Sequence, residues 1–151
     1  MNERPSMKIG MIADPLKWLG WPEAKHFLDP ALKRSDEIWS DILPELASGS
    51  LQLWAVLQTE TLSSEKSDLQ EKLYAAAVTR IVNSPAGEVA EIYLVGGKDF
   101  SLWLAELSEV IARSAREIGC IALRAYGRSG WRRPLALLGW HEKTVAYEKR
   151  L

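Results

Sequence analysis

Apolar side chains recur along this chain with two different spacings, and the spacing switches at glycine or proline. Lys8-Ile9-Gly10-Met11-Ile12-Ala13 is a short apolar run stopped by Asp14-Pro15, which predicts a first strand. Trp21-Pro22 predicts a helix start, because the N–H that proline lacks would have no partner in a first turn anyway. Ala24, Phe27, Leu28, Ala31 and Leu32 follow at helical spacing, with Pro30 among them predicting a kink or a break. Ser35 predicts the cap of a second helix, which buries Ile38, Trp39, Ile42, Leu43 and Leu46 and ends at Gly49.

The middle of the chain changes period. Leu51 to Leu57, Tyr74 to Val82 and Glu88 to Val95 read as three strands. Ser63 to Lys72 is polar and predicts a long exposed hairpin connection, and Ser84-Pro85-Ala86-Gly87 predicts a turn. Connections this short cannot hold crossover helices, so the three strands form an antiparallel meander. From Phe100 to Glu117 the helical period returns, with Trp103, Leu107, Val110, Ile111, Ser114 and Ile118 on one face and Gly119 as its stop. Cys120 to Tyr126 is an apolar run suited to a strand buried on both faces. The long helix before it predicts a parallel pairing with the strand that ends at Val95. Trp131 to Leu138 reads as a short helix stopped by Gly139, and Trp140 to Tyr147 as one or two closing strands.

Composition narrows the functional classes. A chain of 151 residues, 47% hydrophobic and 26% charged, predicts one globular domain over residues 1–151. A net charge of -1 argues against direct nucleic-acid binding, which rests on phosphate neutralisation by excess Lys and Arg. No apolar stretch approaches the roughly 20 residues needed to cross a bilayer, and no apolar leader follows Met1. Cys120 is the single cysteine, so a reducing compartment is the expected setting and an inert core thiol its expected role. Seven tryptophans stand against two Phe and four Tyr, which points to packed contacts before chemistry. Trp18, Trp21 and Trp131 lie near predicted element ends, where interface use is expected.

Several short motifs carry a resemblance. Ala115-Arg116-Glu117-Ile118-Gly119-Cys120 resembles the end of the central helix of the GNAT superfamily of acetyl-CoA-dependent N-acetyltransferases, and Gly139-Trp140 its closing Gly-aromatic pair. Within that superfamily the chain is similar to the small GNAT-like proteins of tailed bacteriophages and prophages. The residues that carry this are Phe27-Leu28-Asp29-Pro30-Ala31-Leu32, Gly49 to Val56, Ala77-Val78-Thr79 and Gly127-Arg128-Ser129-Gly130-Trp131. The resemblance implies an α/β (equally α+β) fold, a mixed and mostly antiparallel twisted sheet of six or seven strands flanked by about four helices.

Departures from the family pattern bear on chemistry. The family's cofactor loop, Arg/Gln-x-x-Gly-x-Gly, cradles a pyrophosphate on backbone N–H groups. Here Leu102 and Leu104 stand for the two glycines and Asp99 for the cation, so acetyl-CoA is expected to bind weakly or not at all. A shifted loop at Val95, Gly96, Gly97 and Lys98, with Arg128, is the other arrangement open to the chain. Leu135 stands where the family places a general-acid tyrosine, and leucine has no proton to give. Trp131 replaces a small residue beside the pantetheine arm, where its ring is expected to fill or cover that space.

Glu88 and Glu91 lie on the strand that carries a general base in some of these enzymes; solvent-facing carboxylates explain them equally well. His26 and His141 have no second ligand at metal spacing, so no metal is expected. Arg113, Arg116, Arg124, Arg128, Arg132 and Arg133 form a basic cluster, able to grip CoA phosphates or an acidic partner, or to be a solvated face. Arg128, Trp131 and Arg132 together form a candidate protein-binding patch.

Two functions follow from the resemblance. One is a phage or prophage protein with a degenerate acetyl-CoA loop and no cofactor. It would be a virion-associated or assembly component, in the host cytoplasm or the virion, contacting phage structural proteins or itself. The other is an acetyl-CoA-dependent N-acetyltransferase acting on an amine.

Overall fold

A computed structural model describes residues 7–61 and 69–151. One sheet holds five strands in the order β1 (Met7–Ile12), β2 (Leu51–Thr61), β3 (Leu69–Ser84), β4 (Gly87–Gly97) and β5 (Ala122–Ala125). All neighbours are antiparallel except β4 and β5, which run parallel across helix α3 (Phe100–Glu117). The helices α1 (Trp21–Arg34) and α2 (Trp39–Ser48) cover one face, and α3 covers the other. The last helix, α4 (Arg132–Leu137), follows a single 3-10 turn at Ser129–Trp131.

Two cores result. Leu28, Leu32, Ile42 and Leu46 pack with Leu53, Val78 and Leu94 under α1 and α2. Trp103, Leu107 and Ile111 pack with Val56, Ala77 and Ile92 under α3. Trp103 is fully buried there, and its indole N–H donates to the Lys98 carbonyl. Among the described residues no helix is long and apolar enough to cross a membrane.

Several expectations need correction. The sheet has five strands among the described residues, because Trp140 to Tyr147 pairs with nothing and carries no regular structure. Helix α1 continues through Pro30 without a break. Ser35 closes α1 instead of opening α2: its hydroxyl donates to the Leu32 carbonyl at 2.7 Å, and Ile38 precedes the second helix, itself mostly exposed. β5 is an edge strand, shorter than its apolar run suggested, with Ile121 and Ala122 exposed. The connection predicted from Ser63 lies outside the described residues as far as 68, and from Leu69 the chain is already in β3.

Candidate functional site

The two ends of β4 are built differently. From Val89 to Ile92 it is paired on both sides, with β3 and with β5. At Tyr93 the β3 register slips, Thr79 facing Ile92 and Val78 facing Leu94, so Tyr93 is an extra residue on β4. Such a bulge bends the strand and strengthens its twist. From Tyr93 to Gly97 β4 keeps β3 alone, and among the described residues its other edge is open.

Glu91 lies in the doubly paired part and is 2% exposed, not solvent-facing as one sequence reading had it. Arg80 Nε donates to Oε1 at 2.8 Å, while Arg124 Nη1 and the Tyr126 hydroxyl donate to Oε2 at 3.0 and 2.9 Å. Burial alone would raise its pKa, but the hydrogen bonds from Arg80, Tyr126 and Arg124 outweigh it and hold the carboxyl below the usual range. A carboxylate so saturated with donors is a poor proton acceptor. Beside it, burial and the neighbouring Glu37 carboxylate push the Tyr93 phenol up to about 12, and the Arg80 guanidinium lies 4.2 Å from that ring. Glu88 is exposed.

On the α3 side, the opening between the strands is a slot lined by Ile92 and Val95 of β4, Leu104 and Leu107 of α3, and Ala125 of β5. Trp131, Leu135 and Trp140 close it. The cavity left is about 10 Å³, room for one water at most. Trp131 also meets the Phe100 ring, 4.6 Å between centroids, at the first turn of α3. Its ring therefore lies between the first turn of α3 and the slot that it helps to close.

The junction between β4 and α3 accounts for its glycines by packing. A Cβ on Gly96 would lie 2.0 Å from the Phe27 carbonyl oxygen of α1, and one on Gly97 2.4 Å from the Tyr74 carbonyl oxygen and Ala75 Cβ of β3. Both residues let neighbouring backbone approach. Asp99 takes a left-handed conformation (φ 52°), one of the few residue types that tolerate it. The Leu102 N–H is already used by the Asp99 carbonyl at 2.9 Å, and Leu104 is buried, so no glycine cradle exists at this helix start. Lys98 is exposed, its ammonium 5.9 Å from the Phe27 ring.

The arginine cluster is dispersed. Arg124 belongs to Glu91, Arg116 pairs with Glu109 at 3.3 Å, and Arg132 with Glu142 at 3.2 Å. Arg128 and Arg133 are exposed. Burial and the charge of Arg128 together lower the pKa of Arg34 at the end of α1. Among the described residues no group of three His, Cys, Asp or Glu is placed to hold a metal ion. Cys120 is half-buried at the start of β5, outside both cores, and burial and then Glu88 push its thiol upward. Arg80, Tyr126 and Phe100 were not singled out from the sequence as site residues, and Trp140 only as half of the closing Gly-aromatic pair. Arg80 had a signal: Ser84 faces Gly87 at the turn, and counting four residues outward on each strand sets Arg80 opposite Glu91.

Compared by sequence, the chain matches no protein-family model and no curated protein. Compared by structure, it is similar to acetyltransferases over nearly its whole length. Glucosamine-6-phosphate N-acetyltransferase from Arabidopsis thaliana matches with a TM-score of 0.61 at 14% identity, covering 96% of this chain and 98% of that one. An aminoglycoside acetyltransferase from an uncultured soil metagenomic sample gives 0.63 at 12%, covering 96% of each chain. A GCN5-related N-acetyltransferase from Ralstonia eutropha gives 0.64 at 12%, covering 96% and 99%. The fold is that of the GNAT acetyltransferases.

Proposed function

We propose that this chain is an acetyl-CoA-dependent N-acetyltransferase whose cofactor slot is closed by Trp131 when empty. The observation that carries the reading is the open edge of β4 from Tyr93 to Gly97, facing an apolar slot between α3 and β5. Backbone N–H and C=O groups on such an edge seek partners, and an extended chain bearing amides supplies them. Lys98, Arg128 and Arg133 are exposed cations able to take phosphates in place of a glycine cradle. The slot's width is set by the Trp131 ring, which follows Gly127 and Gly130 in the chain. Full-length likeness to acetyltransferases supports the same reading at the level of fold.

When bound, acetyl-CoA supplies an acyl group activated as a thioester. The chain's own residues orient the reactants and exclude water, and Glu91, locked by three donors, takes no proton. The acceptor amine therefore reaches the slot already neutral, its proton lost to solvent, and turnover rises with pH through the amine's own pKa. Leu135 has no proton to give, so with acetyl-CoA bound the proton for the thiol would come from solvent, which would also take the one the amine sheds on becoming an amide.

Titration calorimetry with acetyl-CoA on the wild type and on Trp131→Ala tests this. Both are expected to bind saturably. The variant binds more tightly by about three- to tenfold, the worth of one aromatic contact that no longer has to be broken. Absence of saturable binding to either protein would overturn the reading.

A second reading is favoured by the filled slot itself: Trp131, Leu135 and Trp140 serve as permanent packing, and the protein acts through contacts, as a phage particle component would. On this reading a Trp131→Ala, Arg128→Ala double variant stays folded and loses binding to its particle in co-sedimentation. Acetyl-CoA binding by the wild type would decide against it.

A further inference from the structure

Helix α3 fills the space above the sheet with its first half and leaves a gap under its second. Trp103, Leu107 and Ile111 pack on the strands, but beyond them the facing side chains are small. Ser114 and Ala115 of the helix, with Ala90 and Thr79 of the sheet, line a cavity of about 180 Å³. Protein interiors are close-packed, so a void of this size in one is an exception. A cavity of about 150 Å³ suffices for a benzene ring. This one shares no lining residue with the slot that Trp131 closes. It reaches solvent beside Met11 and Ile118, 50% and 57% exposed.

The polar part of the lining is directional. The Trp54 indole N–H donates to Thr79 Oγ1 at 2.9 Å, and that hydroxyl donates to Gln52 Oε1 at 2.9 Å. The Gln52 amide nitrogen donates in turn to the backbone carbonyls of Gly49 and Ser50. The protons of this relay are spent within the protein, and what Thr79 Oγ1 and Gln52 Oε1 keep is lone pairs. Ser114, half-buried, has a hydroxyl with no hydrogen-bond partner among the described residues. Among the described residues that line the cavity none is ionisable, so a charged ligand would lose its solvation without compensation.

We infer that this cavity is a binding site for a small neutral aromatic molecule that carries a hydrogen-bond donor, of the phenol or indole kind. The ring occupies the space between helix and sheet beside the Trp54 indole, where aromatic pairs contribute beyond the area they bury. Its O–H or N–H meets the surplus acceptors of Ser114, Thr79 and Gln52. Water would satisfy those acceptors too, but it would leave Ile111, Ile118 and the Trp54 ring wetted, and an aromatic ring covers them. The inference is independent of whether the slot binds acetyl-CoA.

The test titrates phenol, and separately indole, into the full isotope-labelled chain and follows its amide and indole N–H resonances. Saturable binding is expected with a Kd of about 0.1–1 mM, a range open to ligands this small. The largest shifts are expected at the Trp54 indole N–H and the Ser114 amide. Toluene has the ring without the donor; it is expected to bind no more tightly than phenol, although it is the more apolar. Ser114→Leu places a larger side chain in the cavity and is expected to weaken phenol at least tenfold, with unchanged far-UV circular dichroism. The wild-type shifts test the site even if that variant does not fold. Absence of saturable binding by phenol and indole, which would mean a cavity holding water only, would overturn the assignment. So would shifts centred on the Trp131 slot, tighter binding of toluene than of phenol, or a folded Ser114→Leu that binds as wild type does.

Discussion

The chain divides at Ala115. Among the described residues every buried side chain lies at or before it, and none lies after it. The first part holds both cores, β1 to β4 and three helices, and its apolar periodicities agree with its elements. The second part, from Arg116, contributes an edge strand paired with β4, a one-and-a-half-turn helix and an exposed segment. The slot lies on the seam, with Ile92, Val95, Leu104 and Leu107 from one side and Ala125, Trp131, Leu135 and Trp140 from the other. A binding site on such a seam has one rigid wall and one that can yield at low free-energy cost.

Substitutions can sharpen or break this contrast. The largest effect belongs to Trp103→Ala, which removes the biggest fully buried side chain and is expected to cost about 3–5 kcal/mol in urea denaturation. A midpoint near wild type would show that the α3 core is not the main source of stability.

Next comes Glu91→Gln, expected to cost about 2–3 kcal/mol. That is below the full range for a broken buried pair because Arg80 and Arg124 keep part of their solvation. The carboxyl's folded pKa is depressed, so its stabilisation is present above the unfolded value of 4.5 and is lost as pH falls through the folded one. Melting temperatures measured downward from pH 5 should therefore fall more steeply for wild type than for Glu91→Gln. Equal slopes would remove Glu91 from the acid-sensitive set.

Gly96→Ala follows, at about 1–3 kcal/mol, since the new methyl meets the Phe27 carbonyl and α1 must shift. A variant as stable as wild type would free that glycine for a role in binding. Smallest is Leu137→Ala in α4, 88% exposed and expected to change stability by no more than about 0.5 kcal/mol. A cost comparable to that of Trp103→Ala would mean that α4 is packed in solution against something the single copy lacks.

Legibility in the sequence follows the same division. The limits of α3 are readable because Trp103, Leu107 and Ile111 repeat at its own period and Gly119 (φ 89°) stops it. The meander is readable because the Ser84–Gly87 turn is tight. The parallel pairing of β4 with β5 follows from the length of the connection, since a helix the size of α3 returns the chain to the end of the sheet where β4 began. Ser35 misleads because a hydroxyl beside a helix end serves either terminus, and here it accepts the role of closing one. Cys120 to Tyr126 misleads because an apolar run does not say whether a further strand covers it.

The site is less readable than the fold. Glu91 meets Arg80, Arg124 and Tyr126 from 11, 33 and 35 residues away, and only the first follows from a local turn. Gly96-Gly97-Lys98 has the composition of a phosphate loop, yet its glycines answer to Phe27 and Tyr74, residues no local motif includes. The Trp131 ring lines the slot, and the sequence marks that position only through the family resemblance, three residues after Arg128.

β3 runs sixteen residues, from Leu69 to Ser84, and carries β2 on one side and β4 on the other through antiparallel hairpin pairings close in sequence. Such local pairs close at little entropic cost, whereas joining β5 to β4 requires α3 to be folded and packed first. By sequence separation the order of assembly therefore runs outward from β3 to both edges, β1 and β5; on an emerging chain β5 is the one made last. A chain emerging from the ribosome holds a nearly complete core while the β4 edge is still bare. Aggregation during synthesis is then governed by how fast α3 docks, and a slow-docking variant such as Val110→Gly fails in the cell by coming together with its neighbours at that edge before it fails by losing stability.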